Sequence, residues 1–306
     1  MRAAYYESFA ADNSTLRTGE LPDPKVGPGQ VLIEVRAAGV NPVDWKVMAG
    51  GLDPMLDTVF PVVPGWDVAG VVRGRGPDTP EFAPGDEVLA YARKDVVGAG
   101  TFAQYVAVSA AVVAGKPAAL DWAQAGGLPL AGLTAKRCVE RTEIGAGDVV
   151  LVYGAAGGVG TLAVQLAVDR GARVLGTASA ASHDAVRALG ATPVEYGDGL
   201  AERIRELAPD GVDAALDLVG GQQPTTSAVL SPGGRHVSIA DPGVEQHGGA
   251  WIWVRPDGAG LAELARLADE GRLTVPVQAS YPLTEVGAAF DASRGGHTHG
   301  KLVIVP

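Results

Sequence analysis

The chain has 306 residues, 47% hydrophobic and 19% charged, enough apolar material for two cores and too structured a composition for disorder. Lys and Arg number 24 against 35 Asp and Glu, and the resulting −11 disfavours nucleic acid and anionic bilayers as partners. Cys138 is the sole cysteine, which excludes an intrachain disulfide and a four-thiolate zinc lobe and predicts a small helix-core residue. Met1–Tyr5 lacks the apolar core of a signal peptide, and no apolar run is long enough to span a membrane. A soluble, cytoplasmic protein is expected.

The chain as far as Leu120 reads as all-β. Val31–Ala37 alternates as a half-buried strand after the turn Val26-Gly27-Pro28-Gly29, and Val68–Arg73, Glu87–Tyr91 and Phe102–Val108 are further strands between Pro/Gly clusters. From Trp122 the pattern changes. Val149–Tyr153 is a short apolar, β-branched run, a strand buried on both faces, and from Val159 apolar residues recur at helical spacing. Strands at Arg173–Ala178, Pro193–Tyr196, Val212–Val219 and Arg235–Ala240 alternate with helices at Ser182–Leu189, Gly199–Leu207 and Gln222–Leu230. That alternation predicts a parallel sheet with helices on both faces. Trp251–Val254 adds a strand and Gly258–Glu270 an amphipathic helix. Segments at Val275–Val277, Thr284–Ser293 and Leu302–Val305 then break the alternation and are expected to return to the first domain.

Between strand and helix lies Gly154-Ala155-Ala156-Gly157-Gly158-Val159-Gly160. A pyrophosphate docks on bare amides at a helix N-terminus only where no Cβ holds it away, so Gly154, Ala156, Gly157, Gly158 and Val159 are candidate cofactor contacts. A tight strand–helix turn is the plainer reading of the same glycines. Leu218, Val219 and Ile239 stand at carboxyl ends of later strands, where a dinucleotide crosses such a sheet. The second strand ends Gly176-Thr177-Ala178-Ser179 with no acid to hold an adenosine ribose or repel its phosphate. Thr177 and Ser179 therefore point to NADPH over NADH, with Asp184 as the adverse neighbour and His183 or Arg187 as substitute cations.

Several blocks carry a family signature. Ala37–Lys46, Pro64–Val72, Pro84–Val88, Leu128–Ala135, the glycine turn, Arg255–Gly258 and Gly300–Val303 together resemble the zinc-independent quinone oxidoreductases of the medium-chain dehydrogenase/reductase superfamily. The resemblance implies an α/β protein in which a GroES-like β-barrel catalytic domain (1–118) precedes a Rossmann doubly wound parallel sheet (119–271). A C-terminal return (272–306) would complete the first domain, usually in a homodimer. It also implies hydride transfer from NADPH to a quinone or an α,β-unsaturated carbonyl, with Thr134 beside the nicotinamide, Tyr196 beside the adenosine ribose, and Lys301 reaching toward the cofactor. Zinc alcohol dehydrogenases of the superfamily need a cysteine where this chain has Asn41 and a Gly-His-Glu block where it has Gly65-Trp66-Asp67. Amide and indole are poor zinc donors, so no metal is expected.

Without zinc, charge growing on the acceptor oxygen needs other donors. Asn41 and Lys46 are the candidates, with Asp44 orienting its neighbours; a turn at Asn41-Pro42 and a surface lysine are the plain alternatives. Trp45, Trp66, Trp251 and Trp253 suit an aromatic wall, although core packing is the commoner use. His236 is expected to be a satisfied core histidine, and His297-Thr298-His299 a turn rather than a chelate. The acidic composition favours a small neutral acceptor. A dedicated enoyl or enone reductase of a biosynthetic pathway is the rival enzyme reading. A catalytically silent NADPH-binding regulator is the rival outside enzymes, with Met48 as its hint.

Overall fold

The computed structural model describes residues 1–296 and 298–306. It divides into two compact units, Met1–Leu133 with Arg255–Pro306, and Thr134–Val254.

In the first unit β1 (Arg2–Tyr5) pairs antiparallel with β2 (Arg17–Glu20), and β3 (Gln30–Val40) is the long central strand. Its alternating burial gives way to burial on both faces from Ala37 onward, which is where the polar residues of interest cluster. Next come α1 (Pro42–Met48), β4 (Thr58–Val63), β5 (Asp67–Arg75), β6 (Glu87–Tyr91) and β7 (Val97–Ala99). Then follow β8 (Tyr105–Ser109), β9 (Val113–Gly115), α2 (Trp122–Gly127) and α3 (Pro129–Arg141), which belongs to the second unit from Thr134 onward. The strand expected over Phe102–Val108 begins only at Tyr105, because the amide of Phe102 is taken by Pro64 O in a turn.

The second unit alternates strictly: β10 (Val149–Tyr153), α4 (Gly160–Asp169), β11 (Arg173–Ala178), α5 (His183–Ala188), β12 (Thr192–Glu195) and α6 (Leu200–Leu207). β13 (Val212–Asp217), α7 (Gln223–Val229), β14 (Leu230–Ser238) and β15 (Ala250–Trp251) complete it. All pairings are parallel in the order β12-β11-β10-β13-β14-β15, a doubly wound sheet whose order reverses beside β10. Leu151, Leu175, Val194, Ile204, Val212 and Val229 fill its core, and buried Tyr153 accepts a hydrogen bond from Thr226 Oγ1 at 3.1 Å. The outer strand expected over Trp251–Val254 shrinks to Ala250–Trp251. The Trp253 ring lies 6.0 Å from that of Trp251, and Pro256 follows.

The chain then returns to the first unit with α8 (Gly258–Asp269), β16 (Val277–Pro282), α9 (Val286–Arg294) and β17 (Lys301–Val305). β17 pairs antiparallel with β3, so one sheet runs β16-β17-β3-β5-β6-β9 with β8 branching from β3, a path that needs no closed barrel. Cys138 is buried in α3, and burial pushes its thiol up to about 12, leaving an unreactive core residue as expected.

Candidate active site

In the Rossmann unit the glycine turn spans the end of β10 and the start of α4. Gly154 adopts φ +70, and a Cβ on Gly160 would stand 2.0 Å from Gly154 O, so neither position tolerates a side chain. Val159 gives the helix no side-chain cap, and Gly157, Gly158 and Val159 are half-buried. Their backbone is thus open to an anionic ligand at the positive end of α4. Thr177 is buried and its hydroxyl accepts from the Gly154 amide at 3.0 Å, which fixes the turn from β11. Val219 is exposed at the end of the neighbouring strand, with Cγ1 2.6 Å from where a Gly154 Cβ would lie; Leu218 is half-buried beside it.

The order of the sheet therefore brings Gly154, Thr177, Leu218 and Val219 to one crevice. Half-buried Ile239 follows β14, its amide bonded to Asp217 O. Asp217 was not singled out by the sequence reading, yet it pins this rim. Its Oδ1 accepts from the Val219 and Gly220 amides at 3.1 and 2.7 Å, and its Oδ2 accepts from Ser238 Oγ at 3.1 Å. An acid closing the apolar run Val212–Leu216 was the available signal.

Where the adenosine is expected, Ser179 Oγ lies 3.0 Å from Ser182 Oγ, and Tyr196 is 53% exposed. Arg187 is paired with Asp184 at 2.7 Å, while His183 Nε2 is buried without a partner among the described residues. Thr134 is buried at the start of this unit. His236 is buried in β14, but its Nε2 has no partner among the described residues, so it is not the satisfied histidine expected. Burial and nearby His247 hold its proton affinity down. His247 is exposed, and His297 lies outside the described residues.

In the GroES-like unit three adjacent strands, β17, β3 and β5, bring together residues far apart in sequence. Lys301 opens β17, Asn41 follows β3 and Asp67 opens β5; they are 4%, 2% and 0% exposed. Lys301 Nζ donates to Val40 O at 3.0 Å and to Asn41 Oδ1 at 2.6 Å. Asn41 Nδ2 donates to Asp67 Oδ2 at 2.8 Å, and Leu130 N, at the start of α3, donates to Asp67 Oδ1 at 2.7 Å. The buried cation and anion are thus joined through one amide, and the anion sits at a helix N-terminus that favours it. Burial raises Asp67 to about 6, opposed by Lys301 and by its hydrogen bonds, and burial lowers Lys301.

Asn41 is extended, φ −129, and Pro42 begins α1 behind it, the position where a missing amide costs nothing. Asp44, 2% exposed in the first turn, reaches back so that its Oδ2 accepts from Asn41 N at 2.8 Å. Its other oxygen, Oδ1, is buried with no hydrogen-bond partner among the described residues. Burial, reinforced by Asp67, raises this carboxyl to about 8 against the Asn41 hydrogen bond and Lys301. Asp44 therefore holds a proton at neutral pH.

Of the residues expected at the reacting end, Asn41, Asp44 and Lys301 come together. Lys46 instead lies exposed over its neighbour's ring, 5.5 Å from the Trp45 centroid. Trp45 is tied to Ser293 Oγ at 3.1 Å, whereas Trp66 packs beside Tyr91 and lines a cleft. Met48 is core. Asp67 is the member the sequence reading missed, although an acid within the apolar block Gly65–Gly70 was a visible sign of a paired, buried charge.

The fit to a metal is poor on donor chemistry. Trp66 has no donor, and the amide of Asn41 is engaged at both ends. The dinucleotide fits, because the half-buried, side-chain-poor backbone of Gly157, Gly158 and Val159 lies at the N-terminus of α4.

The alcohol dehydrogenase GroES-like domain model matches residues 27–118, and a zinc-binding dehydrogenase model matches residues 189–304. The chain is 35% identical to the NADPH-dependent alkenal/one oxidoreductase of Arabidopsis thaliana, over 100% of this chain and 80% of that protein. The quinone oxidoreductase of Coxiella burnetii superposes with TM-score 0.88 at 32% identity, covering 100% of this chain and 99% of the other. A mycobacterial protein solved with NADPH superposes with TM-score 0.86 at 27% identity, covering 100% of both chains. With Asn41 and Trp66 standing where zinc ligands would be needed, the chain belongs to the zinc-independent quinone oxidoreductase family of the medium-chain dehydrogenase/reductase superfamily.

Proposed function

We propose that this chain is an NADPH-dependent oxidoreductase that delivers hydride to a quinone or an α,β-unsaturated carbonyl without zinc. The observation that carries the reading is the buried Lys301–Asn41–Asp67 array, with protonated Asp44 beside it, in place of a zinc ligand set. Bound NADPH supplies a hydride from C4 of its nicotinamide. The chain's own residues do the rest. Gly157, Gly158 and Val159 receive the pyrophosphate, Gly154 and Ala156 shape the bend, and Leu218, Val219 and Ile239 line the passage. Ser179 and Tyr196 take the phosphorylated ribose, and Thr134 takes the nicotinamide.

Lys301 and Asp67 lock the Asn41 amide, so it needs no reorganisation as charge develops. Asp44 keeps a proton that it donates to the reduced acceptor. Conjugation in a quinone or enone spreads the incoming charge, which removes the need for a Lewis acid. The names of the relatives support this acceptor class, an alkenal/one oxidoreductase among curated proteins and a quinone oxidoreductase among solved structures. No helix among the described residues is long and apolar enough to cross a membrane. A cytoplasmic homodimer completes the proposal, with the two-residue edge strand β15 as the edge a two-fold partner would continue. Steady-state NADPH oxidation against a panel of quinones, enones and enoyl thioesters tests the function. Turnover of simple quinones or enones supports it, and tight NADPH binding with no turnover would replace it with the regulatory reading.

A further inference from the structure

Asp44 is 2% exposed, too buried for a quinone or enone to touch it directly. Its Oδ2 accepts from Asn41 N at 2.8 Å, and its buried Oδ1 has no hydrogen-bond partner among the described residues. The proton of the neutral carboxyl therefore sits on Oδ1, because Oδ2 is already turned toward a donor. A buried O–H with nothing to accept it is costly, and a proton that is to be used needs a way out.

A narrow cleft beside Asp44 has the dimensions for both. It lies in the GroES-like unit between α1 and the parallel pair β4 and β7, and Asp44 forms part of its lining. Its room is about 10 Å³, which suits one water and no organic molecule. Val62 and Val97 are buried walls, whereas Val96 on the same lining is exposed, so the cleft leads from the carboxyl toward the surface. Asp44 and half-buried Lys94 are its ionisable side chains.

We propose that a single water in this cleft accepts from Asp44 Oδ1 and carries its proton, so that Asp44 serves the reaction as a proton reservoir without touching the acceptor. The inference rests on the proposed function for the use of the proton, and on the cleft alone for its path. The Oδ1–H bond breaks as the water takes that proton and releases one of its own. The released proton ends on the oxyanion or carbanion left by hydride addition, and Asp44 is left as a carboxylate. A proton from solvent then restores it along the same path. The valine walls offer the water no competing hydrogen bond, which keeps it on Oδ1.

The test follows the carbonyl stretch of the protonated Asp44 carboxyl by infrared difference spectroscopy as the protein is moved into D2O. Loss of the band in Asp44→Asn assigns it. Val62→Ile and Val97→Ile each add a methyl to the walls, and Val97→Ala widens the cleft. The wild-type band lies where a hydrogen-bonded acid absorbs. Filling the cleft moves the band toward the free-acid frequency, slows its deuterium shift by about tenfold or more, and lowers kcat for a quinone to a similar degree. Val97→Ala keeps the band low and exchanges at least as fast as the wild type. A wild-type band at the free-acid frequency overturns the proposal without any variant, as does one exchange rate shared by Val97→Ile and Val97→Ala. Exchange that depends on the cleft, in a protein that reduces no acceptor, would keep the path and sink the enzymatic reading. Quinone turnover undiminished in the filled variants would sink the inference alone.

Discussion

Asp44→Asn isolates the buried proton on which the reacting end depends. In the folded protein the carboxyl sits at about 8, whereas its ordinary value is 3.8. Between about pH 6, where Asp67 is already releasing its proton, and about pH 8, the unfolded chain carries Asp44 ionised while the folded chain still binds its proton. The folded state then holds more protons than the unfolded state, so this group makes stability fall as pH rises. At roughly 1.36 kcal/mol per proton per pH unit, and allowing for half-ionisation at the upper end, the loss across the window is about 2 kcal/mol. Asparagine keeps an oxygen for the Asn41 amide but does not titrate. Urea unfolding of both proteins across the window should show the wild type losing about 2 kcal/mol relative to the variant by the alkaline end. A difference between the two that stays constant with pH would refute a protonated Asp44.

Lys301→Met strips the donor from Val40 O and Asn41 Oδ1 and leaves Asp67 without its cation, at a cost of about 3 kcal/mol in chemical unfolding; a loss below about 0.5 kcal/mol would show the array to be slack. Gly157→Ala brings a Cβ to 3.3 Å from Gly154 O alone, so the fold survives. The new methyl occupies the phosphate cradle, and the Kd for NADPH rises about tenfold or more in a fluorescence titration while Tm changes little. Ser179→Asp places a carboxylate at the end of β11. The NADPH-to-NADH ratio of kcat/KM should fall by about tenfold or more, and an unchanged ratio would remove Ser179 from cofactor choice.

The Rossmann half was legible because its signals are local. The β-branched run Val149–Val152, the glycine turn and the apolar stripe of α4 lie in one continuous stretch, and the all-parallel pairing follows from strict alternation. Trp251–Val254 misled for a related reason: four bulky residues read as a strand, but the ladder with β14 ends at Trp251 and Pro256 lies just beyond. At the reacting end, Asn41 and Asp44 share one helix start and were visible together. Their partners were not. Lys301 is 260 positions from Asn41, and Asp67 is 63 from the amide that caps it. Periodicity reports which face of a strand is buried, not which residue of a distant strand lies opposite. Lys46 was the cation expected at the acceptor and Lys301 the one expected toward the cofactor; pairing of β17 with β3 buries the second, and the first lies over Trp45.

The most direct measurement follows deuterium from C4-deuterated NADPH into an enone, using protein stripped of metal by chelator and verified zinc-free. Mass spectrometry should find the label on the β-carbon of the reduced product, at a rate that added zinc does not increase. Label that stays on the nucleotide, or reaches product only after zinc is restored, would contradict hydride delivery beside the Lys301–Asn41–Asp67 array.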